Sequence, residues 1–405
     1  MTDKFAGKKI FGLNRNVFFL GLVSLFNDFS AEIVISVLPA FLTVVLGAPP
    51  IFLGLMDGLA NAFASFWKII SGWFSDKIGR RKIIAVSGYS LSVIARSLLV
   101  FAGNIWAVFA IRMVDRVGKG TREAPRDALL AESVPESEVG KSFGYQRSMD
   151  TMGAVFGSLA AIFIFAATQN YQLMFFVSFL VGIFAVASFL FVREIKKPIS
   201  GTKEMSPRLS FSMKNFPGYF KLFIFTIFIF GLGTMPLSLM LLKVNDLMPK
   251  SLIYIPLMYF VYSVSFMIFA IPFGRFSDKI GKRKVIAGGF LVAIIAYLIF
   301  ANFSSLTSVY IGFALFGLYS AMTDGIARAK TSRLVGHEVL AQGEGFLGAA
   351  VGVSSLLAGL IGGGIWTWVG PSAAFTYGAI MMSIGFALFI YWNGFWNRHT
   401  KDAIM

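Results

Sequence analysis

Asp28 and Glu32 stand one helical turn apart inside an otherwise apolar run, with Asn27 beside them. Two carboxylates that close in a medium of low dielectric resist carrying two negative charges together, so one of them is suited to taking up and releasing a proton. With Asn27 they also make an oxygen-only set of the kind that suits a hard divalent cation. A third role is a static pair neutralised by Arg112 or Arg147. Arg112, Asp115 and Arg116 lie three and four apart in RMVDRVGKG, Arg147 and Asp150 are three apart, and Asp324 and Arg328 are four apart. At these spacings each set shares one helix face. A guanidinium can hold a carboxylate or phosphate through two parallel hydrogen bonds. The same arginines can instead pair with Asp115 and Asp150 and so join helices. Asp57, Lys68 and Arg96 add further charges inside apolar runs.

Other chemistries are missing. The chain has no Cys, which removes disulfides and thiolate chemistry. Its two histidines, His337 and His399, fall in polar segments, so no metal site is assigned beyond the possible Asp28–Glu32 pair. No nucleophile–base set stands out, and neither an enzyme nor a cofactor is expected. GKGT at 118–121 resembles part of a phosphate-binding loop but lacks its first glycine and any βαβ context. Lys119, Arg122, Arg126 and Asp127 read instead as the polar end of a helix, broken or kinked at Pro125.

The elements that must carry these residues follow from composition. Of 405 residues 57% are hydrophobic and only 14% charged, against about 25% charged in soluble domains. The mean hydropathy is +0.75. Apolar runs of about 20 residues match a ~30 Å hydrocarbon core. The expected fold is all-α and integral to a membrane, with twelve transmembrane helices. These run roughly over 17–46, 50–74, 83–103, 105–131, 140–168 and 170–193, and then 216–245, 250–275, 284–302, 304–332, 340–368 and 371–397. Residues 1–16 are polar and basic, and the run after them is too long for a signal-peptide core. The polar stretch 194–215 reads as a linker between an N-terminal six-helix bundle (1–193) and a C-terminal one (216–405). Phe211, Met213 and Phe216 hint at an interfacial helix there, with a plain solvated loop as the alternative. Pro39, Pro236, Pro256 and Pro272 are expected to bend their helices, as hinges or as static kinks.

The net charge of +16 sits in short segments between apolar runs, which excludes a nucleic-acid face and marks cytoplasmic loops. The alternate connections GAPP (47–50), GN (103–104), TQNY (168–171) and VGP (369–371) carry no basic residue; Lys250 is the exception. Both termini are therefore expected in the cytoplasm, in a bacterial cytoplasmic (inner) membrane, with the bilayer lipids as neighbours. FSDKIG occurs twice, at 74–79 and 276–281, each time between the second and third helix of its half. Same-side placement of the two copies implies two parallel six-helix repeats.

GWFSDKIGRRK resembles the loop signature of the major facilitator superfamily, G-x-x-x-D-[RK]-x-G-[RK]-[RK]-[RK]. Gly72, Asp76, Lys77, Gly79, Arg80, Arg81 and Lys82 fill it, and Gly274, Asp278, Lys279, Gly281, Lys282, Arg283 and Lys284 fill it again. The resemblance implies a secondary transporter, acting by alternating access, in which these loops are gating latches; a plain topology anchor is the alternative. Gly72 and Gly274 are expected to allow close helix approach, Gly79 and Gly281 a turn with positive φ, and Asp76 and Asp278 to face a helix N-terminus. In the fourth helix Arg112 and Gly118 match the family's arginine and one of its glycines, while Arg116 stands where a glycine is usual. In the fifth, Gly153 and Gly157 match the antiporter pattern, but Ser158 replaces its proline.

The expectation is a monomeric, proton-coupled transporter of a small-molecule organic solute, with export of a drug-like compound or metabolite ahead of the rest. Alternatives are uptake of an anionic solute or carboxylate metal chelate, divalent cation transport through Asp28 and Glu32, and a non-transporting membrane receptor. At the second-half positions equivalent to Asp28 and Glu32 stand Phe230 and Thr234, so the N-terminal half is expected to hold the polar chemistry.

Overall fold

In hydrocarbon every backbone N–H and C=O must find its partner inside the protein, and a helix does this within one segment. The computed structural model describes residues 10–194, 213, 216–248, 251–335 and 340–402. Their regular structure is helical: α1 (Arg15–Ala40), α2 (Pro50–Ile78), α3 (Arg81–Leu98), α4 (Ile105–Glu132), α5 (Glu136–Thr168), α6 (Tyr171–Ser188), α7 (Gly218–Gly233), α8 (Leu237–Leu247), α9 (Tyr254–Ile280), α10 (Lys282–Asn302), α11 (Leu306–Leu334), α12 (Leu340–Trp368) and α13 (Pro371–Asp402). The segments α7 and α8 make up one candidate span, broken at Thr234–Pro236, so the described helices form twelve rods.

Starts and stops follow local chemistry. Asn104 and Asn170 accept the N–H of Ala107 and Leu173 at 2.9 Å, and Ser305 forms a capping box with Ser308. Pro50 and Pro371 open their helices, where no intrahelical donor is lost. Gly79 and Gly281 end α2 and α9 at φ +68° and +99°. The prolines behave unequally. Pro236 coincides with the α7–α8 break, and Pro39 precedes a π-helical turn at Phe41–Val45. Pro256 lies in the first turn of α9, where its missing N–H costs no intrahelical hydrogen bond. Pro125 lies inside α4, which runs on to Glu132, so the expected break is absent.

Ten helices among the described residues are long and apolar enough to cross a membrane. The remaining two rods, α2 and α4, have 29 and 28 residues, about 42 Å of helix, but are more polar. In α4, Arg112, Asp115, Arg116 and Lys119 occupy the middle of the rod.

Two compact units emerge. One comprises Met1–Gly47 and Phe63–Glu204, the other Ala48–Ala62 and Met205–Met405. Much of the expected linker, including Phe211, lies outside the described residues, as does Lys250. In the second unit the start of α2 packs on α12, with the Ile51 N–H donating to Thr367 Oγ1 at 3.1 Å. In the first, α1 lies against α5 and α6, and α3 against α4 and α6. Val17, Leu20, Val23, Ala85, Tyr89, Leu129, Leu130 and Phe189 form an apolar core there. Asn16 closes one end of it, bonding Ser133 Oγ and the backbone of Arg193.

The α1–α5 crossing depends on Gly153 and Gly157. A Cβ on Gly157 would lie 2.5 Å from the Phe29 carbonyl oxygen and 2.8 Å from Glu32 Cβ; one on Gly153 would strike the Leu25 carbonyl and lie 3.1 Å from Asp28 Cβ. A Cβ on Gly274, by contrast, would meet nothing within 4 Å among the described residues, whereas one on Gly72 would meet Ala124 Cβ at 3.3 Å. Gly157→Val should therefore destabilise the protein by about 1–3 kcal/mol, as overpacking does, and lower its thermal midpoint in detergent. Gly274→Val should leave that midpoint nearly unchanged.

Candidate functional site

The charged residues of the first unit converge on one carboxylate. Asp115, on the buried face of α4, lies 3.4 Å from Arg112 Nη1, 3.6 Å from Arg116 Nη2 and 3.7 Å from Arg96 Nε. These side chains are only 3–10% exposed. A glycine seam brings α3 and α4 close enough for this. A Cβ on Gly118 would stand 2.7 Å from the Gly88 carbonyl oxygen, and one on Gly88 would stand 2.8 Å from that of Gly118.

Arg96 is the member that reading the sequence undervalued. It extends from α3 to α1, where Nη2 donates to Asn27 Oδ1 at 2.8 Å and Nη1 to the Asn27 carbonyl at 3.1 Å and Ser30 Oγ at 2.7 Å. Its Nε also donates to the Ser92 carbonyl. Asn27 Nδ2 in turn donates to Asp28 Oδ1 at 2.9 Å. A cation inside an apolar helix was the signal; no spacing rule could say that its partners lay on α1 and α4.

Asp28 and Glu32 lie where α1 crosses α5, packed on Gly153 and Gly157. Asp150 of α5 lies within electrostatic reach of Asp28, Arg126 and Arg147. Three ionic partners of Asp115 come from α3 and α4: Arg96, Arg112 and Arg116.

Toward the end of α4, where the sequence places the polar residues Lys119, Arg122, Arg126 and Asp127, a second cluster forms with partners that spacing does not name. Glu123 meets Lys68 of α2 at 3.1 Å and Lys119 at 3.8 Å. Trp67 Nε1 donates to Thr121 Oγ1 and Ser71 Oγ to the Gly120 carbonyl, both at 2.7 Å. Arg122 donates to Ser92 Oγ at 2.6 Å and lies over the Tyr89 ring. Arg126 pairs with Asp127 at 2.8 Å and contacts Tyr89 and Ser24. With its amide oxygen turned inward, Gln146 accepts from the same guanidinium at 2.8–3.0 Å.

The FSDKIG loops are tied locally. Arg81 pairs with Glu132 at 3.1 Å, and Lys82 holds the end of α6 through the Val192 carbonyl and Glu194. Asp278 pairs with Lys282 one turn on. The Asp76 side chain, and those of His337 and His399, lie outside the described residues. Arg80 closes α2 to α3 at the N-cap of α3, and Arg283 opens α10.

In the second unit the polar chemistry is sparser. Asp324 and Arg328 are both exposed, one turn apart on α11. Phe230 stacks on Phe290 with ring centres 3.7 Å apart, and Met235 N donates to Tyr297 Oη at 2.8 Å. Among the described residues no group of three or more acidic or histidine side chains is placed to hold a metal.

A two-unit, all-helical membrane protein with buried ion pairs on its helix faces has the form of a solute carrier. The chain belongs to the Major Facilitator Superfamily, whose model matches residues 20–248 and 222–402; it is a multi-pass membrane transporter, not an enzyme. It is 34% identical over 385 residues to an uncharacterised MFS-type transporter of Methanocaldococcus jannaschii, covering 94% of this chain and 95% of that one. It is 25% identical over 300 residues to the multi-drug resistance efflux pump PmrA of Streptococcus pneumoniae, covering 71% and 73%. The fold is that of a POT family transporter solved with a thioalcohol-conjugated peptide, at TM-score 0.81 and 13% identity over 98% of this chain and 99% of that one. It is also that of the nucleoside transporter NupG, at TM-score 0.76 and 13% identity over 93% and 99%.

Removing one member of a buried ion cluster leaves uncompensated charge, at about 3–5 kcal/mol. Asp115→Leu should lose that much stability, read as a large fall in the thermal midpoint of the purified protein. The exposed pair sets the control: Asp324→Leu should shift it by less than about 1 kcal/mol.

Proposed function

We propose that the protein is a proton-coupled secondary transporter that exports a small organic solute by alternating access, with both termini on the cytoplasmic face. The observation that carries the coupling is the seat of Asp28. It is an acid at membrane depth, packed on a glycine of α5, bonded by one neutral donor (Asn27), with Asp150 in electrostatic reach. A charge at the bilayer centre costs roughly 2.5–3.5 kcal/mol, so a group there that a proton can neutralise is suited to cross-membrane cycling. The termini follow from the Lys and Arg of alternate loops.

Export is supported by the likeness to PmrA, and by a shorter match, 30% identical over 143 residues, to the class B tetracycline resistance protein of Escherichia coli. A second reading, uptake of an anionic solute, is favoured by one specific feature: three guanidinium groups surround the single carboxylate of Asp115.

Two liposome measurements test these readings. Asp28→Asn should abolish uptake of fluorescent drugs driven by a pH gradient into inverted vesicles, while the protein still folds and inserts; undiminished gradient-driven flux would remove Asp28 from the coupling role. If the substrate is anionic, Arg112→Gln should weaken its binding by tenfold or more, about 1.4 kcal/mol for one charge-assisted contact. Equal affinity would leave Arg112 a structural partner of Asp115.

A further inference from the structure

Between Asp28 on α1 and Arg112 on α4 runs an unbroken chain of polar contacts. Asp28 Oδ1 accepts from Asn27 Nδ2 at 2.9 Å; Asn27 Oδ1 accepts from Arg96 Nη2 at 2.8 Å. Arg96 Nε faces Asp115 Oδ1 at 3.7 Å, and Asp115 Oδ2 faces Arg112 Nη1 at 3.4 Å and Arg116 Nη2 at 3.6 Å. The Arg96 guanidinium is one rigid plane with an edge on each carboxylate's side. No other side chain of α3 reaches both α1 and α4 through such a fork among the described residues.

We infer that Arg96 is the positioning residue that couples the protonation state of Asp28 to the Arg112–Arg116 pair. The inference rests on the proton-coupled reading above and adds the route by which the proton is felt at the arginines. While Asp28 is ionised, its oxygen fixes the Asn27 amide, whose own oxygen holds one edge of Arg96 toward α1. When Asp28 takes a proton, its acceptor strength falls and that hold on Asn27 slackens. Arg96 then turns more of its charge to Asp115, and Asp115 releases part of its grip on Arg112 and Arg116. Those guanidinium groups become better able to take an anionic partner. Low dielectric makes each link stronger than it would be in water.

Arg96 is also fixed where such a relay needs it. Its Nη1 donates to Ser30 Oγ, and Ser30 and Ser178 of α6 bond each other's backbone carbonyls. The side chain therefore sits in a frame drawn from α1, α3 and α6 rather than in a mobile cavity. Among the described residues, the charged groups within electrostatic reach of Asp28 include Arg96 from α3, Lys119 from α4 and Asp150 from α5, with Glu32 one turn on along α1. Asn27 links Asp28 directly to Arg96.

Coupling between two sites is reciprocal, so the relay can be read from the Asp28 end with no substrate present. The full chain in lipid nanodiscs is titrated while the infrared carbonyl band of protonated Asp28 is followed, that band being assigned by its loss in Asp28→Asn. Arg112→Gln should raise the midpoint by about 0.7 pH unit or more, a coupling of fivefold or greater. The rise should vanish in Arg96→Lys, which keeps the charge but not the fork, and in Asn27→Ala, which changes no charge and guards against a folding defect in the first variant. A rise of the same size in both backgrounds would mean that the charge acts through space and would overturn the role of Arg96, as would no rise at all. If the Asp28 band titrates at no pH, the proton-coupled reading fails and the inference falls with it; if it titrates normally but without dependence on Arg96, only the inference fails.

Discussion

A charge in hydrocarbon must be paired, and in this protein the pairing at Asp115 organises the first unit. Three arginines share one aspartate, each side chain nearly excluded from solvent. Such a cluster is weak evidence for stability, since desolvation offsets much of the attraction. What it does impose is position. Arg96 can meet Asp115 only if α3 and α4 lie in contact, and it can meet Asn27 only if α1 lies beside them. The helix arrangement and the ion pairs are one solution to one constraint.

Small residues make that solution sterically possible. Gly88 against Gly118, and Gly153 and Gly157 against the α1 backbone, bring helix axes close enough for short side chains to bond across them. In lipid there is little hydrophobic force between helices, so close backbone contact and interhelical hydrogen bonds carry the association. The glycines that resemble family signatures in α4 and α5 thus have a local physical task. They seat the carboxylates of α1 and the arginines of α4 at defined depth.

The two units have the same loop signature but opposite interiors. Where the first places Asp28 and Glu32, the second places Phe230, stacked on Phe290, and Thr234, which ends α7. Tyr297 answers a backbone N–H at the α7–α8 break, a structural task without charge. A duplicated frame has been filled with ionic chemistry on one side and aromatic packing on the other.

Much of this was legible in the sequence. Apolar runs of membrane-spanning length, basic loops and the twin FSDKIG strings are local or periodic features, and they specify twelve helices in two repeats because the bilayer permits few other solutions. The seats of Asp28, Glu32, Arg112, Asp115 and Arg116 on helix faces also followed from spacing alone. Tertiary structure decided the partners. Arg96 read as one more buried charge; only the reach of its side chain from α3 to both α1 and α4 makes it a bridge. Lys68 and Glu123, or Arg126 and Gln146, are far apart in the chain or on different helices, and no period relates them. Pro125 illustrates the converse: local propensity argued for a break or a kink, and α4 continues as helix past it to Glu132. Helical periodicity fixes which residues share a face, because that is geometry within one segment. Which faces meet depends on the glycine seams and charges of all the segments together, and that information exists only once they are packed.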